Sequence, residues 1–519
     1  MNIGHFLTKS AYLYPTHPAW IEENFSIPYK TAEERVNKLG NGLLNLATTN
    51  NDLVAMLLPN CHQAIETILA PMSVGMAVVP LNTRLHHNEH QYMINHSNAS
   101  ILIYSDRFAD HIEKIRDSLP SVKHFICVGK TTENDIPYEQ LISSTSYKNL
   151  PEHVQSEDLA WLFYTSGTTG KPKGAMLSHR NLIAMANSYL SDVNPVKHKD
   201  VLLHAAPISH GSGLIIFHHI ARGASHTFPT SSSFIPNEIF KNIQHNKVTT
   251  MFLAPTMVNM LISSKEISKY DISSLHTIIY GGGPMYTEHI LKAIDVFGNI
   301  FTQIYGQGEA PMAITTLPKD EHITNNDPLL VKRLSSAGTE MTGIHVKIVD
   351  SNDKELALEE HGEITVRGDL VMKGYLNNSN ATAETLRNGW LHTGDIGYLD
   401  TNRYLYITDR KNDMIISGGA NIYPREVEEV IATHPSVAEV SVIGVPDRKW
   451  GESIKAFVVP HEKKQISGKE IIEFCLSHLA SYKKPKSVEI LSLLPKNAYG
   501  KIEKQKLRQP YWKNLERNV

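Results

Sequence analysis

The stretch Tyr164–Gly174, YTSGTTGKPKG, is rich in groups that bind anions. It contains four aliphatic hydroxyls, three glycines and two lysines in eleven positions, and it has no acidic side chain. Backbone N–H groups, hydroxyls and ammonium groups together suit a multiply charged anion such as a nucleotide polyphosphate. The apolar residues 162–164 and 175–177 are typical of strands, so the sequence predicts a functional loop between two strands. The alternative interpretation is a solvated turn without a ligand.

This loop differs from the familiar phosphate-binding motif GxxxxGK[ST]. Lys171 does follow Gly170, but position 172 is proline, and the residue five positions before Gly170 is Thr165. We therefore expect polyphosphate binding by a loop of a different construction.

The composition is that of an ordinary globular protein with more than one domain. The chain has 519 residues, of which 41% are apolar and 20% charged, and its formal net charge is −3. This length exceeds what a single core supports, and no basic arm indicates a nucleic-acid partner. The 27 histidines are scattered without the spacing of a transition-metal site.

The cysteines and the hydropathy pattern predict a cytoplasmic location. Cys61, Cys127 and Cys475 are odd in number and far apart, which argues against a disulfide framework and for a reducing compartment. The first residues lack the basic and apolar regions of a signal peptide, and the sequence has no run of about 18 apolar residues, so we expect no transmembrane segment.

The order of the apolar segments predicts an α/β fold. Strand patterns at 52–58, 76–80 and 100–104 alternate with helical patterns at 62–74 and about 88–98, and strands recur at 201–204, 249–253 and 277–280. Such alternation predicts doubly wound parallel sheets. Short strands at 345–349, 362–367 and 403–408 predict a small β-rich subdomain. After residue 413, a helix beginning at Pro424 and further strands predict a separate α+β domain.

Three more stretches carry side chains that could do chemistry. They are YGQGEA at 305–310, LHTGDIGYLD at 391–400 and PKNAYGKIEK at 495–504. Taken singly, Glu309 could be a solvated loop acid, Asp395 a turn residue and Lys501 a surface lysine. Each stretch alone favours that plain interpretation.

Together with the opening loop, in this order and spacing, these stretches resemble the adenylate-forming superfamily. This superfamily includes acyl-CoA synthetases, aryl-CoA ligases, peptide-synthetase adenylation domains and firefly luciferase. The resemblance covers essentially the whole chain, including VPLNTRL at 79–85 and GGANIYPREVEEV at 418–430. It implies a large N-terminal domain over 1–409 built from two doubly wound sheet subdomains and a small β-rich subdomain, a hinge at 410–413, and a small mobile α+β domain over 414–519.

The resemblance also implies the reaction and the ligands. A carboxylic acid is activated with Mg²⁺ and ATP to an acyl-adenylate, pyrophosphate is released, and the acyl group passes to the thiol of CoA. Catalysis of such a phosphoryl-group displacement depends mainly on positioning and charge neutralisation.

Each implied ligand has its own set of residues. Glu309 is expected to bind Mg²⁺, Asp395 and Arg410 to hold the ribose, and Lys501 to bring the α-phosphate and the carboxylate together. Tyr305 and Gly306 are placed at the adenine, and Gly418 and Gly419 at the pantetheine. The phosphate loop comprises Thr165, Ser166, Gly167, Thr168, Thr169, Gly170 and Lys173, with Thr165 also assigned to catalysis, and the other adenine wall comprises Gly282, Gly283 and Pro284.

Two positions depart from the usual pattern. The superfamily commonly has threonine where this chain has Gly308, which puts one contact to the α-phosphate in question. The pivot of the hinge is expected at Asn412, and asparagine tolerates unusual backbone angles.

The acyl pocket is expected to be lined by small residues. By resemblance these are His210, Gly211, Ser212, Gly213, Ala254, Thr256, Gly281, Gly306, Gln307, Gly308 and Met312. The segment PISHGSG lacks the aspartate that would pair with an amino-acid substrate, and so many small residues predict a roomy, apolar pocket for a medium to long fatty acid or a bulky aryl or cyclic acid. His210 is interpreted either as a gate or proton acceptor for the thiol or as a packing residue.

Three other functions are weighed. In the first, the acyl group passes to the phosphopantetheine of a carrier protein instead of CoA. In the second, the adenylate is oxidised as in luciferase, but no feature of the sequence supports such an oxidation. A catalytically silent homologue is the third, motivated by Gly308. The acid, ATP and CoA are the expected partners, and a homodimer is left open.

Overall fold

The protein is described here by a computed structural model that covers residues 1–47, 52–148, 153–165, 172–231, 233–325, 327–410, 413–417, 420–462, 464–497 and 500–512. Within these residues, no helix has both the length and the apolar character needed to cross a membrane.

The α-helices follow one another along the whole chain. In chain order they are α1 (His5–Leu13), α2 (Tyr29–Leu46), α3 (His62–Ser73), α4 (His87–Ser97), α5 (Ala109–Glu113), α6 (Tyr138–Ser144), α7 (His179–Asp192), α8 (Gly211–Leu214), α9 (Ile216–Ala221), α10 (Pro236–Asn246), α11 (Pro255–Ile262), α12 (Thr287–Phe297), α13 (Pro328–Arg333), α14 (Ser379–Thr385), α15 (Pro424–Ala432), α16 (Gly468–His478) and α17 (Lys504–Arg508). Short 3-10 helices span Asp106–Phe108, Arg116–Ser118, Lys265–Lys269 and Lys319–His322.

The strands are mostly short. In chain order they are β1 (Pro18–Ile21), β2 (Ser26–Pro28), β3 (Leu53–Leu57), β4 (Ala77–Pro80), β5 (Ile101–Ser105), β6 (His124–Val128), β7 (Ile136–Pro137), β8 (Leu159–Thr165), β9 (Lys173–Ser178), β10 (Val201–Leu203), β11 (Ser225–Thr227), β12 (Thr250–Leu253), β13 (Thr277–Tyr280), β14 (Phe301–Tyr305), β15 (Thr315–Leu317), β16 (Thr339–Glu340), β17 (Ile344–Val349), β18 (Gly362–Gly368), β19 (Leu386–Arg387), β20 (Trp390–Leu399), β21 (Leu405–Arg410), β22 (Ile415–Ser417), β23 (Ala420–Ile422), β24 (Val437–Asp447), β25 (Gly451–Pro460) and β26 (Ser487–Ile490).

The first sheet has the order β7-β6-β5-β3-β4-β8-β9. Its strands are parallel except for the antiparallel pair β8 and β9, which flank the predicted phosphate loop. Every residue of β3 and β4 is buried, as expected of parallel strands covered on both faces. The strand and helix boundaries predicted between residues 52 and 104 differ from the structure by no more than one residue.

The second sheet has the order β16-β15-β14-β13-β12-β10-β11-β1-β2. Strands β10, β12, β13 and β14 are neighbours and parallel. Their carboxyl ends therefore lie at one edge of the sheet, which is where open α/β sheets bind their ligands. The prediction of doubly wound sheets is confirmed.

Two smaller sheets complete the fold. The third sheet has the order β17-β18-β20-β19, and β21 pairs with β20. The fourth sheet has the order β23-β22-β25-β24, and β26 pairs with β25. All strands from β22 onward belong to this fourth sheet, whose core contains Val427, Ile431 and Val442. The strand predicted near 440–443 is the centre of the longer β24.

Candidate active site

The loops that follow the parallel strands of the second sheet meet at a cleft. Ala254 follows β12, Gly281 follows β13, and Tyr305 ends β14. The cleft has a volume of about 2400 Å³ and also receives residues of the third and fourth sheets. The sequence-predicted residues that line it are Thr165, Ala254, Thr256, Gly282, Gly283, Pro284, Tyr305, Gly306, Gln307, Asp395, Arg410 and Lys501.

Asp395 is the point at which three of these side chains converge. It lies on β20 directly opposite Arg410 on β21, and the Nε of Arg410 lies 2.9 Å from its Oδ1. Tyr305 donates its hydroxyl to Oδ2 at 2.7 Å, and the Nε2 of Gln307 donates to the same oxygen at 2.6 Å. The carboxylate of Asp395 is buried and raises the pKa of Arg410 above its ordinary value. The group is therefore a fixed hydrogen-bond acceptor beside a fixed cation.

Gln307 has a second contact besides its bond to Asp395. Its Nε2 also donates to the backbone carbonyl of Thr393 at 3.0 Å. These two bonds make Gln307 a support of Asp395 at the wall of the cleft, and its predicted place in the acyl pocket stays a prediction.

Glu309 is held by two hydroxyl groups. Thr165 donates its Oγ1 to Glu309 Oε1 at 3.1 Å, and Tyr375 donates its hydroxyl to the same oxygen at 2.7 Å. Thr165 is the last residue of β8, so the carboxylate lies at the start of the predicted phosphate loop.

A metal ion at Glu309 fits these residues. No cluster of three or more potential metal ligands is found among the described residues. A single oriented carboxylate beside a phosphate site is nonetheless what Mg²⁺ uses when nucleotide oxygens and water supply its remaining ligands.

Tyr375 is a site residue that sequence reasoning missed. Its hydroxyl binds Glu309, and the Nζ of Lys173 lies 4.4 Å from the centre of its ring. The residues around it run beside β9, where the N–H of Met176 donates to the carbonyl of Gly374 at 2.9 Å. Tyr375 follows Glu309 by 66 residues, and no spacing in the sequence links the two.

Lys501 lies in the cleft on the turn that precedes α17. Burial by the surrounding protein and the charge of Arg410 lower the pKa of Lys501 to about 8, while Asp395 and Glu309 oppose this shift. Asn497 fixes the turn, because its N–H donates to the carbonyl of Lys501 at 2.8 Å and its Oδ1 accepts from the N–H of Lys501 at 3.0 Å. These two bonds hold the backbone of the turn, and the charges of Arg410, Asp395 and Glu309 act on the ammonium group of Lys501.

Several predicted residues lie outside the described part of the chain. They are Ser166, Gly167, Thr168, Thr169 and Gly170 of the phosphate loop, the pivot Asn412, and the glycine pair Gly418 and Gly419. Their roles stay predictions.

His210 packs against Phe163. Its ring meets that of Phe163 edge to face with 5.1 Å between the centres. Burial and the charge of Lys501 lower the pKa of His210 to about 3. A base with so low a pKa takes up few protons near neutrality, which argues against a role as proton acceptor; the gating and packing interpretations both stay predictions.

The glycines of the acyl segment are closely packed by neighbouring groups, and the expectation of a roomy acyl pocket stays a prediction. At each of five positions, a neighbouring group occupies the place where a side chain would begin. At Gly211, an added Cβ atom would lie 2.7 Å from the ring of Phe252, and at Gly308 it would lie 2.3 Å from Thr165. At Gly213 and Gly281, the nearest atoms are the backbone carbonyl oxygens of Ile208 and Ile304, at 1.9 and 2.5 Å. At Gly306, the nearest atom is the backbone nitrogen of Met312, at 2.4 Å.

Ser212 and Met312 are also buried. Ser212 bonds through its hydroxyl to Nδ1 of His204 at 2.8 Å, and His204 in turn contacts His226 at 2.9 Å. Met312 has a positive φ of 61° and is 8% exposed. Neither lies among the residues that line the cleft, and their place in an acyl pocket stays a prediction.

Gly282 and Gly283 differ from these five glycines. A Cβ at Gly282 would have no neighbour within 4 Å, and one at Gly283 would lie 3.9 Å from Pro255. Gly282 has a φ of +79°, which favours glycine. This turn therefore presents bare backbone to the cleft, and its role as a wall for adenine stays a prediction.

Comparison with known proteins agrees with this geometry. Residues 7–376 match the family described as AMP-binding enzyme, and residues 426–501 match the AMP-binding enzyme C-terminal domain. A feruloyl-CoA synthase of an Amycolatopsis species is 34% identical over 513 residues, which cover 98% of this chain and 99% of the relative. A long-chain-fatty-acid–CoA ligase of Salmonella typhimurium is 32% identical over 541 residues, which cover 98% and 94%.

A solved structure resembles the protein over nearly its full length. The o-succinylbenzoate CoA synthetase of Bacillus subtilis, in complex with its acyl-adenylate intermediate, superimposes with a TM-score of 0.83 at 30% identity and covers 97% of both chains. The chain therefore belongs to the AMP-binding enzyme family, and it is an acid–thiol ligase of the AMP-forming acyl-CoA synthetase class, as its motifs predicted.

Proposed function

We propose that the cleft binds ATP with its ribose at Asp395 and its phosphates between Glu309, Lys173 and Lys501. The observation that carries this proposal is the convergence of Tyr305, Gln307 and Arg410 on Asp395 within the cleft that Lys501 enters. Beside its three donors, the ionised carboxylate of Asp395 keeps acceptor capacity for a ribose hydroxyl. Glu309, held by Thr165 and Tyr375, would bind Mg²⁺, which supplies neutralising charge to the phosphates.

In the first half-reaction, a carboxylate oxygen of the acid attacks the α-phosphorus of ATP. The new P–O bond forms as the bond from the α-phosphorus to the bridging oxygen breaks, and pyrophosphate leaves with that electron pair. The ammonium group of Lys501 brings the two anions together and stabilises the charge that develops in the transition state. Neutral His210 and the ring of Phe163 border the acid.

In the second half-reaction, the thiol of CoA attacks the carbonyl carbon of the adenylate. The thiol proton is lost to solvent or base, a C–S bond forms, and AMP leaves with the former carboxylate oxygen. Gly418 and Gly419 are proposed to admit the pantetheine, after movement about a hinge at 410–413.

The acid is proposed to be an apolar one, either fatty or aromatic. No acidic side chain stands in the segment 207–213 to pair with an ammonium group, and Phe163 and Phe252 contact that segment. The names of the relatives support both classes of acid, because one is a feruloyl-CoA synthase and another is a long-chain-fatty-acid–CoA ligase.

The test is pyrophosphate release from Mg-ATP across a panel of acids, with and without CoA. The panel should run from short to long aliphatic acids and include benzoate and cinnamate types. We expect CoA-dependent turnover with one class of acid and a loss of about 100-fold or more in Lys501→Ala. Lys469→Ala is the matched control, since Lys469 is 85% exposed on α16 and absent from the cleft lining.

Other outcomes redirect the proposal. Pyrophosphate release that yields no CoA thioester would move the acceptor to the phosphopantetheine of a carrier protein. No pyrophosphate release with any acid would contradict the proposed function and favour a silent nucleotide-binding homologue.

A further inference from the structure

Lys504 carries its ammonium group into a cluster of carboxylates behind the catalytic turn. Its Nζ lies 2.9 Å from Oε1 of Glu428 and 3.5 Å from Oδ2 of Asp409. The side chains of Lys504, Glu428 and Asp409 are 17%, 5% and 7% exposed. The ion cluster is thus largely removed from water. Because the surrounding protein screens charges less than water does, the charges of the cluster act more strongly on one another.

The two partners of Lys504 belong to different sheets. Glu428 lies on α15, packed on the fourth sheet, and its Oε1 also accepts the N–H of Val442 in β24 at 2.7 Å. Asp409 lies on β21 of the third sheet, one residue before Arg410. Lys504 therefore connects the turn that carries Lys501 to β21. That strand also carries Arg410, the partner of Asp395.

Lys504 and Lys501 are joined by a stiff connection. Lys496 and Ile502 form a β-bridge across the turn, and Lys504 is the first residue of α17. Leu507 of the same helix is buried with Ile443 and Phe457 against the fourth sheet. A displacement of Lys504 from Asp409 would therefore move the Lys501 turn relative to the nucleotide site.

Lys504 stays charged in this environment. Burial works to lower the pKa of Lys504, but Asp409, Glu428 and Asp413 outweigh it and raise that pKa above its ordinary value. Arg508, whose guanidinium lies 2.5 Å from Asp413, adds a second cation on the same helix. Three carboxylates thus face two cations. Lys504 with Asp409 is an ion pair between the two sheets, and Arg425 on α15 adds a hydrogen bond to the carbonyl of Ile407 in β21 at 3.0 Å.

We infer that Lys504, through its ion pair with Asp409, is the positioning residue that holds Lys501 in the cleft for adenylate formation. This inference rests on the role proposed for Lys501. Lys504 needs no contact with substrate for this role, because it acts through the turn that carries Lys501.

A distance measurement tests the inference without any substrate. Leu329 on α13 and Leu493 after β26 are 75% and 69% exposed and can be replaced by labelled cysteines, whereas the native cysteines are buried or half-buried. We expect a single narrow distance distribution by electron double resonance in the otherwise unchanged enzyme. Asp409→Asn, which removes the charge across the boundary and keeps the shape, should add a population at other distances, and Glu428→Gln should not.

The half-reactions supply the second readout. Asp409→Asn and Lys504→Met should slow adenylate formation about tenfold or more, while thioester formation from a presynthesised acyl-adenylate changes by less than about twofold. Lys504→Arg should recover part of the adenylation rate, and Lys469→Met should match the unchanged enzyme.

The inference is overturned if Asp409→Asn and Lys504→Met leave the distance distribution unchanged, or if they slow both half-reactions equally. Absence of adenylation in the unchanged enzyme would instead contradict the proposed function, and the distance measurement would still decide whether Lys504 fixes the arrangement.

Discussion

Asp395 and Arg410 are paired residues on neighbouring antiparallel strands, and the guanidinium of Arg410 lies 2.9 Å from the carboxylate it faces. The backbone register itself brings the two side chains together. Because Tyr305 and Gln307 donate to the other oxygen of Asp395, the orientation of this carboxylate is fixed before a nucleotide arrives.

Removing either donor to Asp395 should weaken ATP binding. Tyr305→Phe and Gln307→Leu each delete a hydrogen bond to a charged group, which is worth about 1.5–3 kcal/mol, so we expect KM for ATP to rise about tenfold or more in each. The double variant should cost less than the sum of both changes, since they share one acceptor. Steady-state kinetics with varied ATP measures this.

Tyr104→Phe is the control for that experiment. Tyr104 also donates its hydroxyl to a buried aspartate, Asp135, at 2.7 Å, but it lies outside the cleft lining. An equal rise of KM in Tyr104→Phe would show that the effect is general destabilisation and not a property of Asp395.

The activity should fall at alkaline pH because of Lys501. The pKa of Lys501 is lowered to about 8, so its ammonium form is present below that pH and is lost as the pH rises through it. We expect kcat/KM for ATP, which reports the free enzyme, to decline above about pH 8. The phosphates of bound ATP raise the pKa of a nearby lysine, so kcat should decline at a higher pH.

Lys501→Arg separates this cause from others. A guanidinium stays protonated throughout the range, so the alkaline decline should disappear even though the rate is lower. A decline that persists unchanged in Lys501→Arg would assign it to another group.

Tyr375 should matter through its hydroxyl and through its ring. Tyr375→Phe removes the bond to Glu309 and keeps the ring beside Lys173, whereas Tyr375→Leu removes both. We expect the Mg²⁺ concentration for half-maximal adenylation to rise about tenfold in Tyr375→Phe and the rate to fall further in Tyr375→Leu. Titration with Mg²⁺ at fixed ATP checks this, and identical behaviour of the two variants would contradict a role for the hydroxyl.

Restoring threonine at position 308 should harm the protein. A Cβ at Gly308 would lie 2.3 Å from Thr165 and 2.7 Å from Phe163. Gly308→Thr should therefore lower the free energy of unfolding by about 1–3 kcal/mol through overpacking. Denaturant unfolding measures this, with Gly283→Ala as the stability control, because a Cβ there meets nothing closer than 3.9 Å. A stable, more active Gly308→Thr would show that the glycine is a defect.

Much of the site could be predicted because it follows from strand ends. The apolar segments that became β12 and β13 are readable in the sequence, and parallel strands present the residues after them at one edge. Asp395 and Arg410 were paired only by the resemblance, and the structure supplies the physical reason in the register of β20 and β21.

The residues that were missed depend on contacts between distant segments. Tyr375 reaches Glu309 because its segment runs beside β9, and Lys504 reaches Asp409 across two sheets. The crowding of Gly211 and Gly308 by Phe252 and Phe163 likewise appears only when the strands are assembled. Composition suggested room at these glycines, whereas packing fills it.

Tyr286 comes from the segment before α12, yet it is buried in the core of the fourth sheet together with Ile415 and Val440. Separating the fourth sheet from the segment before α12 would expose this ring to water, at a free-energy cost of about 1.5–3 kcal/mol for a large apolar side chain. A free-energy difference of that size corresponds to a preference of about tenfold or more for the arrangement in which the ring stays buried. On the hinge movement proposed above, the burial of Tyr286 would therefore favour the arrangement in which Lys501 enters the cleft.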